Sequence, residues 1–366
     1  MTTPADQAYM ARAVRLAERG LYTADPNPRV GCVLVKAGEV IGEGWHARAG
    51  GPHAERVALE RAGESSRGAS AFVTLEPCSH TGRTGPCTDA LIEAGVARVV
   101  CAALDPNPMV SGAGVSRLKE AGVTVEVGAL EQSAAALNPG YLSRMTRGRP
   151  LVRSKLAASL DGRTGLANGE SQWITGAAAR ADVHRWRARS SAVLTGVGTV
   201  LADDPSLNAR LADPEGPVKQ PARVVIDAQL RTPSGAKLMS LPGDVVVFAT
   251  QAAAERGEAL RDLGAVVEAV AGASHCDLAQ VMQRLAALEF NELWVEAGPT
   301  LNGALLEAGL IDELVIYVAP HLLGADAQGM FSIEPLTSLE RRIQVEYQDV
   351  RRVGDDLRII ACLAGS

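Results

Sequence analysis

Hydrophobic and polar positions along the chain fall into short blocks whose period switches repeatedly between helix and strand. From Asp6 to about Gly128 the two textures alternate. Tyr9 to Arg19 has helical spacing and stops at Gly20, which predicts a helix. Val30 to Lys36 and Glu39 to Gly42 predict a hairpin turning on Ala37-Gly38. Pro52 to Ala62 predicts a helix with Pro in its first turn and Gly63 as its stop. Ala71 to Leu75 is a buried-strand run, Thr88 to Ala94 a helix stopped by Gly95, and Arg98 to Leu104 another strand. Ser116 to Ala121 continues a helix, Gly122 ends it, and Val123 to Val127 is a strand. Such alternation predicts a layered α/β domain with a largely parallel sheet.

Gly140 to Pro150 holds three arginines, two glycines and a proline without apolar periodicity, and reads as a domain boundary. A second α/β series opens at Leu151-Val152. Its strand candidates are Ala192 to Thr195, Arg223 to Asp227, Asp244 to Ala249, Glu292 to Glu296 and Glu313 to Val318. The segment from Gln328 to Arg352 carries little pattern. The expected domains are residues 1–146 and 147–366. A length of 366 residues fits that division.

Composition narrows the function classes. Hydrophobic residues at 47% and charged residues at 21% are ordinary for a globular chain. With 36 Lys plus Arg against 42 Asp plus Glu, the net charge is −6, which disfavours nucleic acid as the main partner. A local basic groove stays open. No apolar run approaches the roughly 18 residues of a membrane span, and the N-terminus lacks a signal-peptide core, so a cytoplasmic location with no membrane partner is expected. Six cysteines are too sparse for a disulfide scaffold, which turns attention to their chemistry.

His53-Ala54-Glu55 starts one predicted helix, Cys78 follows a strand, and Cys87 precedes another helix. Placed side by side, these helix starts would gather an imidazole and two thiols. The positive end of a helix favours the thiolate that binds zinc. Three protein ligands leave a fourth position for water, as in catalytic zinc sites, where the bound water's pKa falls to about 7. Glu55 is not needed as a ligand and is free to move protons from the water to a ring nitrogen and a leaving amine. This is the logic of zinc nucleobase deaminases, whose pattern is H-x-E followed by P-C-x-x-C. Here eight residues separate Cys78 from Cys87, where two are usual. The bland alternative is a chance His-x-Glu and structural cysteines; the joint placement at helix starts weighs against it. Cys32 and Cys101 sit in apolar strand runs and read as core, and Cys276 and Cys362 have no partner motif. His80 could compete as a ligand, although Gly82, Arg83 and Thr84 beside it suggest a substrate-contacting loop.

A closer match then emerges. Pro26-Asn27-Pro28, Val30-Gly31, His46, His53-Ala54-Glu55, Thr74-Leu75-Glu76-Pro77-Cys78-Ser79-His80, Gly82-Arg83-Thr84 and Pro86-Cys87 resemble the bifunctional deaminase–reductases of riboflavin biosynthesis. Asp105-Pro106-Asn107-Pro108 with Gly112 and Gly114 also looks like that family, and the long inter-cysteine loop is its variation. The resemblance covers essentially the whole chain. It implies a cytidine-deaminase-like α/β/α domain followed by a dihydrofolate-reductase-like α/β domain. The first would remove an amino group from 2,5-diamino-6-(5-phosphoribosylamino)pyrimidin-4-one with zinc on His53, Cys78 and Cys87 and Glu55 as proton shuttle. Asn27, His46, His80 and Arg83 are its implied substrate contacts. Arg29, Thr81 and Gly85 depart from the family pattern and bear on fine substrate geometry.

In the second half, Lys155 to Arg163, Glu170 to Thr175, Thr195 to Pro205 and Val295 to Leu301 stand out. Gly196-Val197-Gly198 opens a G-x-G-x-x-G that Leu201 interrupts, a poor dinucleotide fingerprint. Gly298 to Gly303 has phosphate-loop spacing, but Ala304-Leu305 replaces Lys-Ser/Thr. Its backbone N–H groups at a helix start still make an anion site. Without more, these are ordinary strand–helix turns, Trp173 is a core residue, and Arg187 and Arg210 are solvated surface. The resemblance implies instead an NADPH-dependent reductase that adds hydride to the anomeric carbon of the ring-opened sugar. It assigns Lys155, Ser171, Arg187, Leu207, Arg210 and Glu296 to substrate. Ala157, Trp173, Thr199 and Asp203, with the turn Gly298, Pro299, Thr300, Leu301, Asn302, Gly303 and Ala304, go to NADPH. Two arginines would suit the sugar phosphate, since guanidinium forks pair bidentately with phosphate oxygens. Lys155, Asp203 and Glu296 remain open as proton-handling groups, and NADPH over NADH rests on the resemblance. It also implies a homo-oligomer, dimer or tetramer. Two rivals stay in view: another zinc nucleoside or nucleotide deaminase with an appended non-catalytic domain, and a zinc-stabilised binding module with four protein ligands.

Overall fold

The computed structural model describes residues 2–79, 85–108, 110–212 and 216–363. The chain divides into two compact units, Met1–Gly148 and Arg149–Ser366. The first contains α1 (Pro4–Glu18), β1 (Gly31–Lys36), β2 (Glu39–Trp45), α2 (Ala54–Ala62) and β3 (Ser70–Val73). It continues with α3 (Cys87–Glu93), β4 (Arg98–Cys101), α4 (Ala113–Glu120), β5 (Thr124–Val127), α5 (Glu131–Ala135) and α6 (Pro139–Arg147).

The sheet order is β2-β1-β3-β4-β5. Only half of it is parallel: β4 runs parallel to β3 and β5, while β1 is antiparallel to both β2 and β3. The tight turn at Ala37 (φ 51°) and Gly38 (φ 84°) forces β2 back along β1. The crossover through α2 then returns β3 parallel to β2, on the far side of β1. Residues alternate between two cores. Cys32, Leu34, Val73 and Cys101 pack with α2, α3 and α4; Val33, Val35, Phe72 and Val100 pack with α1. Cys32 and Cys101 are core residues, as their apolar surroundings predict.

Helix α1 begins at Pro4 rather than Tyr9, because Thr3 and Asp6 form a reciprocal capping box. The two units part within Gly140 to Pro150, after Gly148, but the stretch is not irregular. Most of it is α6, with Pro139 in its first turn, left-handed Gly148 (φ 66°) as its stop, and Tyr141 buried. Start and stop signals were present there, but one short buried face gave no visible periodicity.

The second unit contains β6 (Leu151–Ser159), β7 (Arg163–Gly165), α7 (Ala177–Arg189), β8 (Ala192–Gly196), α8 (Val197–Asp203) and β9 (Ala222–Ile226). Then come β10 (Val245–Thr250), β11 (Val266–Val270), β12 (Glu292–Val295), the helix Pro299–Glu307, β13 (Glu313–Ala319) and β14 (Gln328–Gly329). The hairpin β15 (Val345–Val353) and β16 (Asp356–Leu363) closes the chain. The nine-stranded order is β11-β10-β9-β8-β12-β6-β13-β16-β15. It is parallel from β11 to β13 and antiparallel at β16 and β15. Leu194, Val224, Phe248 and Val295 face one core, and Val193, Val225, Val247 and Trp294 the other. Both units are α/β, as the alternating pattern predicts. Strand β15 escaped prediction because it is an exposed edge with no buried face to impose alternation. No helix among the described residues is long and apolar enough to cross a membrane.

Candidate active sites

Helices α2 and α3 begin at one place. His53 is the N-cap of α2 and Cys87 the first residue of α3. His53 Nδ1 lies 3.6 Å from Cys78 Sγ and 3.3 Å from Cys87 Sγ, and the three ligand atoms lie within 4.8 Å of one another. Tetrahedral zinc, with bonds of about 2.3 Å to sulfur and about 2.1 Å to nitrogen, spaces its ligand atoms on the order of 3.6 Å apart. Geometry and donor set therefore both suit zinc. The hydrogen bond from Cys87 pulls the Cys78 thiol well below its ordinary value against its burial, with help from His53 and the Cys87 N–H. Cys87, hydrogen-bonded to Cys78 and buried, is pushed up in turn.

Glu55, in the first turn of α2, is 3% exposed and stands outside the ligand group. Burial raises its carboxyl above the ordinary value, against the pull of His53. The helix is held close by glycine: a Cβ on Gly44 of β2 would lie 2.2 Å from the Ala54 carbonyl oxygen.

His46 stands edge-on to His53, ring centroids 5.4 Å apart. Its Nδ1 is 3.0 Å from the Pro52 carbonyl, so that nitrogen donates, and Nε2 accepts from the Asn27 amide at 3.0 Å. Burial lowers the pKa of this imidazole. Asn27 and His46 are thus brought together beside the ligands. His80, Arg83 and the departure Thr81 lie outside the described residues. Arg56 of α2 donates to the Gly85 carbonyl at 2.7 Å and so fixes the end of the inter-cysteine loop. Arg29, whose departure bore on substrate geometry, is buried and donates to the Leu137 carbonyl at 2.6 Å.

One supporting residue was not predicted. Glu76, 4% exposed, accepts the backbone N–H groups of Asp105, Gly112 and Val115 at 3.1, 2.9 and 3.0 Å. It ties the segment after β3 that carries Cys78 to the Asp105 and Gly112 backbone and to the first turn of α4. An acidic residue two positions before a ligand cysteine was the available signal, but its partners are 29 to 39 residues away.

The second unit holds a cleft of about 1130 Å³ outside the carboxyl ends of the parallel strands. Lys155, Ser171, Arg187, Leu207, Arg210 and Glu296 all line it. So do Ala157, Trp173, Thr199 and Asp203, and Gly298, Pro299, Thr300, Leu301 and Ala304 of the turn. Asn302 and Gly303 do not. The Asn302 side chain is buried, donating to the Ala297 carbonyl and accepting from Ser154, and a Cβ on Gly303 would lie 2.0 Å from the Ser332 carbonyl oxygen. Both face inward because a helix turns consecutive residues through successive faces.

Arg187 does not present a free fork. Its Nε and Nη2 bond to the two carboxylate oxygens of Glu296 at 2.6 and 2.8 Å, and Nη1 donates to the Asn208 carbonyl. Trp294 Nε1 adds a bond to Glu296 at 2.8 Å. Burial opposes ionisation of Glu296, but Arg187, Lys155 and that indole outweigh it and bring it down to about 2. Lys155 is lowered, chiefly by burial, with Glu296 opposing. Arg210 is exposed, bonded to Asn208 Oδ1 at 2.6 Å and 3.3 Å from His184 Nε2. Trp173 is 70% exposed beside the Arg180 guanidinium at 4.7 Å, so it is wall rather than core. Gln229, Arg231 and His275 also line the cleft; as lone polar residues on loops they gave no sequence signal.

The cleft fits a dinucleotide. Gly196 and Gly298 cap helix starts after β8 and β12, and a Cβ on Gly198 or Gly298 would meet nothing within 4 Å. These turns leave backbone open to phosphate. The interrupted G-x-G-x-x-G is thus a strand–helix turn in a sheet of different order.

Comparison with known proteins gives matches for both units. Residues 3–103 match the family model for the cytidine and deoxycytidylate deaminase zinc-binding region, and residues 150–359 that for the RibD C-terminal domain. The riboflavin biosynthesis protein RibD of Escherichia coli K12 is 50% identical over 362 residues, covering 96% of this chain and 98% of that protein. The solved structure of Acinetobacter baumannii RibD (form 1) superposes with a TM-score of 0.92 at 46% identity, covering 98% of this chain and 99% of the other. A diaminohydroxyphosphoribosylaminopyrimidine deaminase/5-amino-6-(5-phosphoribosylamino)uracil reductase from Thermotoga maritima gives 0.87 at 32% identity, covering 98% and 99%.

Proposed function

Because the chain belongs to the RibD family of bifunctional deaminase–reductases of riboflavin biosynthesis, we propose that its two sites divide the work as follows. The protein is an enzyme with a hydrolytic deaminase and a reductase activity, served by zinc and NADPH respectively. Residues 1–146 carry the first reaction and 147–366 the second, a reading supported by the two family matches. The substrate is 2,5-diamino-6-(5-phosphoribosylamino)pyrimidin-4-one, supported by the activities named for the Thermotoga relative. A zinc deaminase with a non-catalytic appendage fits less well, since relatives match along the whole chain.

In the first unit, His53, Cys78 and Cys87 hold the metal. Bound zinc supplies the Lewis acidity that makes a water nucleophilic near neutral pH. Glu55 accepts a proton from the attacking water and passes it to the ring nitrogen, then carries the proton of the remaining hydroxyl to the amino group, which leaves as ammonia. The ring carbon loses nitrogen and gains a carbonyl oxygen. Asn27 and His46, fastened to each other, orient the substrate; family membership supports the same role for His80 and Arg83.

In the second unit, bound NADPH supplies the hydride. That hydride would add to the anomeric carbon of the open-chain sugar imine, with Lys155 giving the nitrogen a proton, so that C=N would become CH–NH. Lys155 is favoured over its two rivals. Glu296 is ionised and held by Arg187, and Asp203 is exposed at the end of α8. Arg210 binds the sugar phosphate, and Ser171 and Leu207 form walls. Ala157, Trp173, Thr199, Asp203 and the Gly298–Ala304 turn hold NADPH, Asn302 and Gly303 by shaping that turn from within. The protein is read as a cytoplasmic homo-oligomer, dimer or tetramer, with no nucleic-acid partner; family membership supports this, and light scattering tests the assembly.

The observation that carries the reading is the three-ligand group with buried Glu55 left free beside it. Its test is product analysis by mass spectrometry of purified protein mixed with the diaminopyrimidinone. Ammonia loss without NADPH, and a further gain of two hydrogens only with NADPH, are expected. No change in a zinc-loaded sample would overturn the substrate assignment.

A further inference from the structure

The cleft of the second unit carries more cationic side chains than the reaction itself engages. Arg187 is closed on Glu296, Arg210 on Asn208, and Arg180 donates to the Thr175 carbonyl and lies against Trp173. Arg231 is different. It lines the cleft, its side chain is exposed, and among the described residues it has neither a hydrogen bond nor an ion pair. The two carboxylates of the cleft wall are Asp203 and Glu296, and neither pairs with it.

Its base is nevertheless fixed. Asp227, fully buried at the end of β9, accepts from the Thr232 N–H at 2.6 Å and the Thr232 hydroxyl at 2.7 Å. The Leu230 N–H donates to the Asp227 carbonyl at 3.0 Å. This closed turn presents Arg231 at one set place beyond the strand.

Sheet order then acts as a ruler. Lys155 lies on β6 and Arg231 follows β9, and β12 and β8 lie between those strands. Three strand steps make about 14 Å, a length that an extended dinucleotide covers from its nicotinamide to its adenosine ribose. The helix starts at Gly298, after β12, and at Gly196, the last residue of β8, fall between the two ends, where the diphosphate would lie.

We propose that Arg231 binds the 2′-phosphate on the adenosine ribose and so makes this reductase select NADPH over NADH. The proposal rests on the reading of the cleft as the NADPH site. An unpaired guanidinium meets a dianionic phosphate with two parallel charge-assisted bonds, and finds no such partner in NADH. His275, on the loop after β11, also lines the cleft without a role in the reaction, whereas Arg180 is held by the Thr175 carbonyl and Trp173.

The test is calorimetric binding of NADPH, NADH, 2′,5′-ADP and ADP to the full chain, its Arg231→Gln and His275→Asn variants, and Gly298→Trp. The wild type is expected to prefer 2′,5′-ADP to ADP. Arg231→Gln is expected to weaken NADPH and 2′,5′-ADP by about 10- to 100-fold, the worth of a charge-assisted contact. NADH and ADP should bind it as they bind the wild type, and Arg231→Lys should recover part of the loss. Equal weakening of both cofactors, unchanged discrimination, or discrimination lost only in His275→Asn would each overturn the role of Arg231 while leaving the cleft reading intact. Gly298→Trp places an indole in the open middle of the cleft and should abolish binding of both cofactors. If both still bind that variant, the cleft reading fails and the proposal with it.

Discussion

Arg187 and Glu296 meet side-on in the reductase cleft, Nε to Oε1 at 2.6 Å and Nη2 to Oε2 at 2.8 Å, with both side chains largely shielded from water. The pair occupies the guanidinium edge that a phosphate would otherwise take. It leaves Arg210 as the more available phosphate ligand and keeps a carboxylate ionised beside Lys155.

Removing one partner strands the other. Glu296→Ala should destabilise the second unit by on the order of 3 kcal/mol, read from urea unfolding. The pH dependence has a definite sign. The folded carboxyl titrates at about 2, below its ordinary 4.5, so its stabilisation is complete above the ordinary value and is lost as pH falls through about 2. The stability gap between wild type and variant should therefore hold at neutral pH and close only on strong acidification. A gap that closes near neutral pH would contradict the assignment.

Lys155 must be protonated to give its proton. Burial lowers it below the ordinary 10.5, and Glu296 partly restores it. The alkaline limb of the reductase rate should fall below that ordinary value, and Glu296→Gln should move it lower still. Lys155→Met should cost about 10²- to 10⁴-fold in the reductive step with little change in ammonia release. Rates followed by NADPH absorbance across pH would check both statements.

Glu55→Ala removes the proton shuttle without removing a metal ligand. Zinc content by elemental analysis should stay near that of the wild type, and reduction of the deaminated intermediate should persist. Ammonia release should fall by about 10²- to 10⁴-fold. Chelation should give the same split of activities, and Cys78→Ser should do so with loss of zinc.

Gly44 lets α2 lie against β2. In Gly44→Val the new side chain meets the Ala54 carbonyl, where even a Cβ would sit at 2.2 Å. Forcing the helix outward should cost about 1–3 kcal/mol and shift the His53 end of α2. Zinc affinity measured by competition with a chromogenic chelator should fall, while NADPH binding stays as it was.

Much of the deaminase site was legible because its signals are local. His53 and Cys87 sit at helix starts and Cys78 follows β3 within a few residues, and such element ends are marked by Pro, Gly and a change of period. The reductase site was less so. Trp173 is exposed wall rather than core, Asn302 and Gly303 turn inward, and Arg231 had no neighbour in sequence to mark it. Helix α6 hid behind its arginines, and β15 behind the absence of a buried face.

By itself the sequence determined the two α/β units, the zinc ligand types and the free glutamate, because periodicity, helix ends and donor chemistry act over a few residues. Tertiary structure alone decided which charges meet. Arg187 finds Glu296 across 109 residues, and Glu76 collects N–H groups from a loop and the first turn of α4, 29 to 39 residues on. Those pairings depend on strand order and on which face each residue turns to, and neither is written in the spacing of residues along the chain.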